Sequence, residues 1–240
     1  MLLNSQTHGV ALPRRIHRLV LHLYGLDLLG EVAFVGGCTT GLLITDEFSK
    51  EEVRYTDDVD LIINVIGYSQ WEAFKTRLRE KGFRESMEDD VICRMRLGEL
   101  KVDFMPDDED ILGFSNRWYA AALEAAQNYS LTDELKIRLL TPPFFVATKL
   151  EAYLGRGNDD PLGSHDLEDI LNLVDGREEL VAEIEDAEED VRDYIAEQVG
   201  ALMAHGDFEY AVQGIVRGSP SREDLIFERL EAVKAMKGSV

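Results

Sequence analysis

Glu31-Val-Ala-Phe-Val-Gly-Gly-Cys-Thr-Thr40, followed by Arg54-Tyr-Thr-Asp-Asp-Val-Asp-Leu-Ile-Ile63, decides how this chain folds. Val32 to Val35 is a short β-branched and aromatic run stopped by Gly36-Gly37, which predicts a buried strand turning tightly into Thr39 to Ile44. Bare backbone amides at such a turn can approach a phosphate. In the second stretch, side chains alternating with period two put Asp58 and Asp60 on one face and Val59 and Leu61 on the other. Two carboxylates at roughly 4 Å and an effective dielectric near 20 repel by about 4 kcal/mol, which a divalent cation reverses. Hard oxygen donors at this density favour magnesium or manganese. An acidic edge strand or a strand-end cap is the plain alternative for the pair.

Working outward, Val91 to Met105 predicts a hairpin turning near Gly98, with Leu100, Val102 and Phe104 on one face and Lys101, Asp103 and Met105 on the other. Asp103 alone reads equally well as a solvated strand acid. The glycine turn and the Asp58/Asp60 pair upstream make it a candidate third ligand.

This pattern resembles the DNA polymerase beta superfamily of nucleotidyltransferases: a hydrophobic strand, Gly-Gly or Gly-Ser, two acids one residue apart, then a third acid on a later strand. Arg54-x-Thr56-x-Asp58-x-Asp60 resembles more specifically the abortive-infection (AbiEii-type) toxin branch. Downstream, Thr141-Pro-Pro-Phe-Phe-Val-Ala-Thr-Lys149-Leu-Glu-Ala152-Tyr-Leu-Gly-Arg156 and Ser164-His-Asp166-Leu-Glu-Asp169-Ile resemble that branch's later lysine, arginine and aspartate motif. The resembling pieces run in the right order over residues 30–175.

The resemblance implies an α/β (α+β) fold, a nucleotidyltransferase-type mixed sheet flanked by helices and followed by a mainly helical domain. It implies transfer of a nucleoside monophosphate from a nucleoside triphosphate to an acceptor hydroxyl. Asp58, Asp60 and Asp103 would be the catalytic metal ligands, for Mg2+ or Mn2+. Gly36, Gly37, Thr39, Arg54, Thr56, Lys149, Arg156 and Asp166 would bind substrate. It further implies a toxin of a toxin–antitoxin pair, with transfer RNA as acceptor and an antitoxin protein as partner. Two departures stand out. Twenty residues separate Gly37 from Asp58, more than in minimal members, and Cys38 stands where a phosphate-binding serine is usual, leaving Thr39 or Thr40 to supply that hydroxyl.

By its own physics, Thr141 before Pro142 and Pro143 predicts a helix start, with a hydroxyl to cap free amides and a first-turn proline that loses no bond. That helix should reach about Leu154. If its last turn continues, Lys149 and Arg156, seven apart, share a face with Ala152 between them. Two cations there suit a triphosphate, although singly they also read as a snorkelling lysine and an arginine favoured by the helix dipole. Ser164 is expected to cap a helix ending at Asp175-Gly176. Acids favoured at a helix start explain Glu168 fully and Asp166 in part, so Asp166 is a site candidate mainly through the resemblance. His165, without a second His or Cys at ligand spacing, reads as a capping or surface residue. Residues 177–205 and 221–237 show amphipathic helical spacing, whereas the apolar run Phe208 to Val216 gives no clear assignment.

The chain has 240 residues, 45% of them hydrophobic, enough for a sizeable core. A division near residues 125–140 is expected, giving a nucleotidyltransferase domain at 1–130 and a helical domain at 131–240. The sequence is expected to carry no signal peptide or membrane span, and Cys38 and Cys93, without a spacing motif, point to a reduced cytoplasm. The net charge of −22 opposes a broad nucleic-acid footprint. Cations do gather at Arg14, Arg15 and Arg18 and at Arg77, Arg79, Lys81 and Arg84, a basic surface in outline; the first group also fits the solvated side of a helix. The acidity suits nucleotidylation of a small cationic hydroxylated acceptor, such as an aminoglycoside, as a second reading. A non-catalytic interaction protein keeping the fold is a third, for which Cys38 is the only hint.

Overall fold

The computed structural model describes residues 14–24, 28–53, 56, 58–65, 67–89, 91–112 and 116–238. Helix α1 (Arg14–Tyr24) buries Ile16, Leu19, Val20 and Leu23 at helical spacing. Strand β1 (Val32–Val35) is buried at every position, as its unbroken apolar run predicts. A single 3-10 turn (Gly37–Thr39), α2 (Thr40–Leu43) and α3 (Glu47–Glu52) then fill most of the long stretch before Asp58. Asp46 fixes the start of α3, its carboxylate accepting from the Ser49 amide at 2.8 Å.

After β2 (Asp58–Ile63) come α4 (Tyr68–Glu80), the hairpin β3 (Arg94–Leu97) and β4 (Leu100–Pro106), α5 (Glu109–Leu112) and α6 (Tyr119–Ala125). A second hairpin, β5 (Gln127–Ser130) and β6 (Lys136–Leu139), leads into α7 (Pro142–Arg156) and α8 (His165–Gly176). The remaining helices are α9 (Leu180–Glu185), α10 (Glu189–Met203), α11 (Phe208–Val216) and α12 (Pro220–Lys234). The apolar run that had no clear assignment is therefore α11, with Phe208, Val212 and Val216 buried four apart.

The strands form one mixed sheet in the order β3-β4-β2-β1-β6-β5. β1 is antiparallel to β2 and parallel to β6, while β2 is parallel to β4. The register sets Val35 opposite Asp60 and Asp60 opposite Asp103, so the end of the buried strand and two acids meet at one level of the sheet. On the opposite side of β4, Phe104 makes edge contacts with Phe74 and Phe83 at 5.4 and 5.7 Å between ring centroids. This alternation is what turns Asp103 away from the core.

The mixed sheet flanked by helices, with a helical C-terminal region, matches the expected fold class. The expected division at 130/131 falls between β5 and β6, two paired strands of the same sheet, and one apolar core runs from α1 to α12. Proline chemistry also alters one expected cap. Thr141 stands at the N-cap of α7 in extended conformation but its hydroxyl makes no cap bond, and Pro142 and Pro143 leave the first two helical positions without N–H groups to satisfy. Ser164 does cap α8, accepting from the Leu167 amide at 3.2 Å. The far end of α8 is tied to the first half: the Thr45 and Asp46 amides both donate to the Gly176 carbonyl at 2.9 Å. A Cβ at Gly176 would lie 2.7 Å from Ile44 Cγ2, so this approach needs glycine.

Candidate active site

Asp58 and Asp60 leave the same face of β2, and Asp103 joins them from β4. One carboxylate oxygen from each of the three lies within 4.8 Å of the others. Asp103 is buried. Burial first, then the charges of Asp58 and Asp103, push the Asp60 carboxyl up to about 7, against the opposing pull of Lys149 and Arg156. Three hard oxygen donors, mutually repelling and held by adjacent strands, could hold a metal ion.

Gly36 makes this geometry sterically feasible. Its φ of +77° is a left-handed conformation, and a Cβ there would lie 1.9 Å from Asp60 Oδ2. Gly36→Ala is therefore expected to cost about 1–3 kcal/mol in backbone strain alone and to displace Asp60 from the triad. Paired urea denaturation and Mn2+ titration check this; unchanged stability together with unchanged Mn2+ affinity would contradict it. Cys38 beside it is inert, its thiol pushed well up by burial and by Asp60 and pointed at the Val35 carbonyl at 3.4 Å.

Thr39 is turned inward. Its hydroxyl and its amide both donate to the Gly36 carbonyl, at 2.8 and 3.0 Å, and it is fully buried. Thr40 donates to Asp169 Oδ1 at 3.1 Å. Both hydroxyls brace the turn, so the Gly36–Gly37 backbone is what faces the cavity. Thr56 lines the cavity with its hydroxyl on the Asp58 carbonyl at 3.3 Å, while Arg54 lies outside the described residues.

Lys149 and Arg156 do share a face of α7, and both reach Asp166 on α8. Lys149 Nζ bonds Asp166 Oδ1 at 2.9 Å and Asp169 Oδ2 at 2.6 Å. Arg156 grips both oxygens of Asp166 at 2.8 and 2.9 Å. Burial pulls the Lys149 ammonium down, but Asp169 and Asp166 outweigh it and hold the group above its ordinary value. Burial pushes Asp166 up, and Arg156 and Lys149 outweigh that and hold it below the usual carboxylate range. Asp166 is thus a buried ion-pair hub rather than a helix-start acid alone. Asp169, which stood in the resembling motif and in the first helical turn but not among the site candidates, links Lys149 to the glycine turn through Thr40. Its spacing of three from Asp166 puts both on one face of α8.

Arg94 is the other residue that sequence reasoning missed. Its guanidinium bonds both oxygens of Asp103 at 2.7 Å and Asp58 Oδ2 at 3.1 Å. The hairpin register sets Arg94 directly opposite Asp103, which the turn at Gly98 already fixed. Hydrogen bonding to Asp103 holds Arg94 well above even the usual guanidinium range.

These groups surround a cavity of about 550 Å³ lined by Gly36, Gly37, Thr56, the three acids, Arg94, Lys149, Arg156 and Asp166. A cavity of about 840 Å³ lies elsewhere, between α3, α8 and α12, but its arginines are committed: Arg222 pairs with Asp175, and Arg229 donates to the Val174 and Asp175 carbonyls. Chemistry rather than size therefore points to the smaller one. His165 is exposed at the start of α8 and pairs with Glu168 at 3.0 Å, as a surface residue would.

Two of the cations outlined in the sequence, Arg77 and Arg79, are paired with acids, as are their neighbours Lys75 and Arg96. Arg77 grips Glu31, Lys75 and Arg79 bind Glu85, and Arg96 binds Asp89. The side chains of Arg14, Arg15 and Arg18 lie outside the described residues. Among the described residues Cys38 and Cys93 are free thiols, and no helix is long and apolar enough to cross a membrane. No protein-family model matches this chain, and a search of curated proteins finds no matching sequence.

Proposed function

We propose that the chain is a metal-dependent nucleotidyltransferase of the DNA polymerase beta type, resembling the AbiEii-type branch. The observation that carries this is the convergence of Asp58, Asp60 and Asp103 within 4.8 Å at a cavity edged by the Gly36–Gly37 backbone, Lys149 and Arg156. Magnesium or manganese held by the three acids would supply Lewis acidity and charge neutralisation for an in-line displacement. The acceptor hydroxyl attacks the α-phosphorus, the bond to the β-phosphate oxygen breaks, and pyrophosphate leaves. Both oxygens of Asp103 are engaged by Arg94, so Asp60 is better placed than Asp103 to receive the acceptor's proton. The glycine backbone approaches phosphate, and Arg156, exposed over most of its side chain, faces the triphosphate's negative charge.

The acceptor divides two readings. The AbiEii resemblance favours transfer RNA and a toxin role with an antitoxin partner. The charge of −22 favours a compact cationic molecule with several hydroxyls. Pyrophosphate release and label transfer from each of the four radiolabelled nucleoside triphosphates, with magnesium, test both. One arm contains total transfer RNA, a second contains aminoglycosides, and Asp58→Ala is the control. Label on one acceptor class, lost with Asp58→Ala, supports the reaction and names the acceptor. Triphosphate binding without pyrophosphate release in any arm contradicts turnover and favours a non-catalytic interaction protein.

A further inference from the structure

We propose that Arg94 is the resident counter-ion of the acidic triad: it holds Asp58 and Asp103 converged when no divalent cation is present, and its charge sets how tightly that cation is taken up. The inference rests on reading the triad as a divalent-cation site.

The geometry goes beyond ordinary strand pairing. Arg94 and Asp103 are cross-strand partners on β3 and β4, and a bidentate bond between them needs no further explanation. Asp58, however, belongs to β2, which is separated from β3 by β4. The guanidinium therefore spans a strand to reach it, and one side chain bonds two of the three acids. Arg96, which shares the face of β3 with Arg94, turns out to the loop acid Asp89 instead, so the reach of Arg94 is not a property of that face.

Two consequences of opposite sign follow. The planar fork fixes the orientation of Asp103 and draws Asp58 in, which preorganises two ligands. Its positive charge lies against the same oxygens that a divalent cation would use, which weakens that cation's binding. Asp60 receives no bond from Arg94 and keeps its lone pairs for a ligand. Because the charge acts on every cation and the fork acts only on orientation, loss of charge is the dominant effect of removing Arg94.

The test is a nucleotide-free Mn2+ titration followed by electron paramagnetic resonance, with thermal unfolding in chelator alongside. Arg94→Gln is expected to bind Mn2+ roughly tenfold or more tightly than the wild-type protein. It should melt at a lower temperature in chelator, where the three acids have lost the countercharge bonded to two of them, and regain more on adding Mn2+ than the wild type does. Arg94→Lys, which keeps the charge, should stay near wild-type affinity. Affinity in Arg94→Gln equal to or weaker than wild type overturns the proposal while leaving the triad as a metal site. Mn2+ binding that is absent, or that Asp58→Asn leaves unchanged, overturns the metal reading and this proposal together. If Arg94→Gln does not fold, the question passes to the wild-type protein: the Arg94 Nε–Hε resonance should shift during a Mg2+ titration with the midpoint of binding, and a signal that does not move overturns the proposal.

Discussion

Asp60→Asn is expected to abolish nucleotidyl transfer and, in chelator above pH 7, to make the protein more stable than the wild type. The loss of rate follows from removing one of three charged ligands from the reacting centre, roughly a thousandfold or more. The stability gain follows from linkage. Folding raises the Asp60 carboxyl from 3.8 to about 7, so the folded chain holds this proton more tightly than the unfolded chain. Its contribution to stability is fully present below 3.8 and is lost as the pH rises through about 7. That shift corresponds to at most roughly 4 kcal/mol, and partial solvent access to Asp60 brings the expected gain to about 1–3 kcal/mol. Asp46 and Asp166 are shifted the other way, so they lose their contributions only in stronger acid, and the interval from pH 5 to 8 isolates Asp60. Urea denaturation in chelator at those two pH values checks this. The wild type should be less stable at pH 8 than at pH 5 by a margin that shrinks in Asp60→Asn; an equal margin in both would contradict the linkage.

Lys149→Met is expected to cost about 3–5 kcal/mol, because it strips the ammonium from between two buried carboxylates. Asp166 keeps Arg156 after the change, whereas Asp169 is the more deeply buried carboxylate and the nearer to the ammonium, at 2.6 Å against 2.9 Å. The destabilisation should therefore be relieved mainly by neutralising Asp169. Adding Asp169→Asn to Lys149→Met should recover a substantial part of the loss, and Asp166→Asn should recover less. Chemical denaturation of the single and double variants measures this. A cost below about 1 kcal/mol, or equal rescue by both changes, would contradict the hub described above.

What the sequence disclosed was local and periodic. The Val32–Val35 run, its glycine stop and the alternation of Asp58 with Val59 and Asp60 are readable because a strand's faces follow from neighbours two residues away. Asp103 was accessible for the same reason, and Ser164 because a cap needs only its own first turn. Long-range pairing was not readable. Nothing near Phe34 says that its parallel neighbour is Leu139, so the hairpin of the last two strands was not anticipated. Thr39 and Asp169 failed for a related reason. A hydroxyl after a glycine turn and an acid in a first helical turn each have a satisfactory local account, and only the tertiary contacts reveal that one braces the turn and the other holds Lys149. Arg94 was hidden because its significance lies in Asp58, a residue on a strand it does not pair with.

The most direct test of the central claim is anomalous scattering from crystals grown with Mn2+ and a nucleoside triphosphate whose α–β bridge cannot be cleaved. Manganese peaks among the oxygens of Asp58, Asp60 and Asp103, with the triphosphate running from them along the Gly36–Gly37 backbone towards Arg156, are the predicted result. A triphosphate bound elsewhere, or manganese absent from the three acids while present at other sites, would contradict the account.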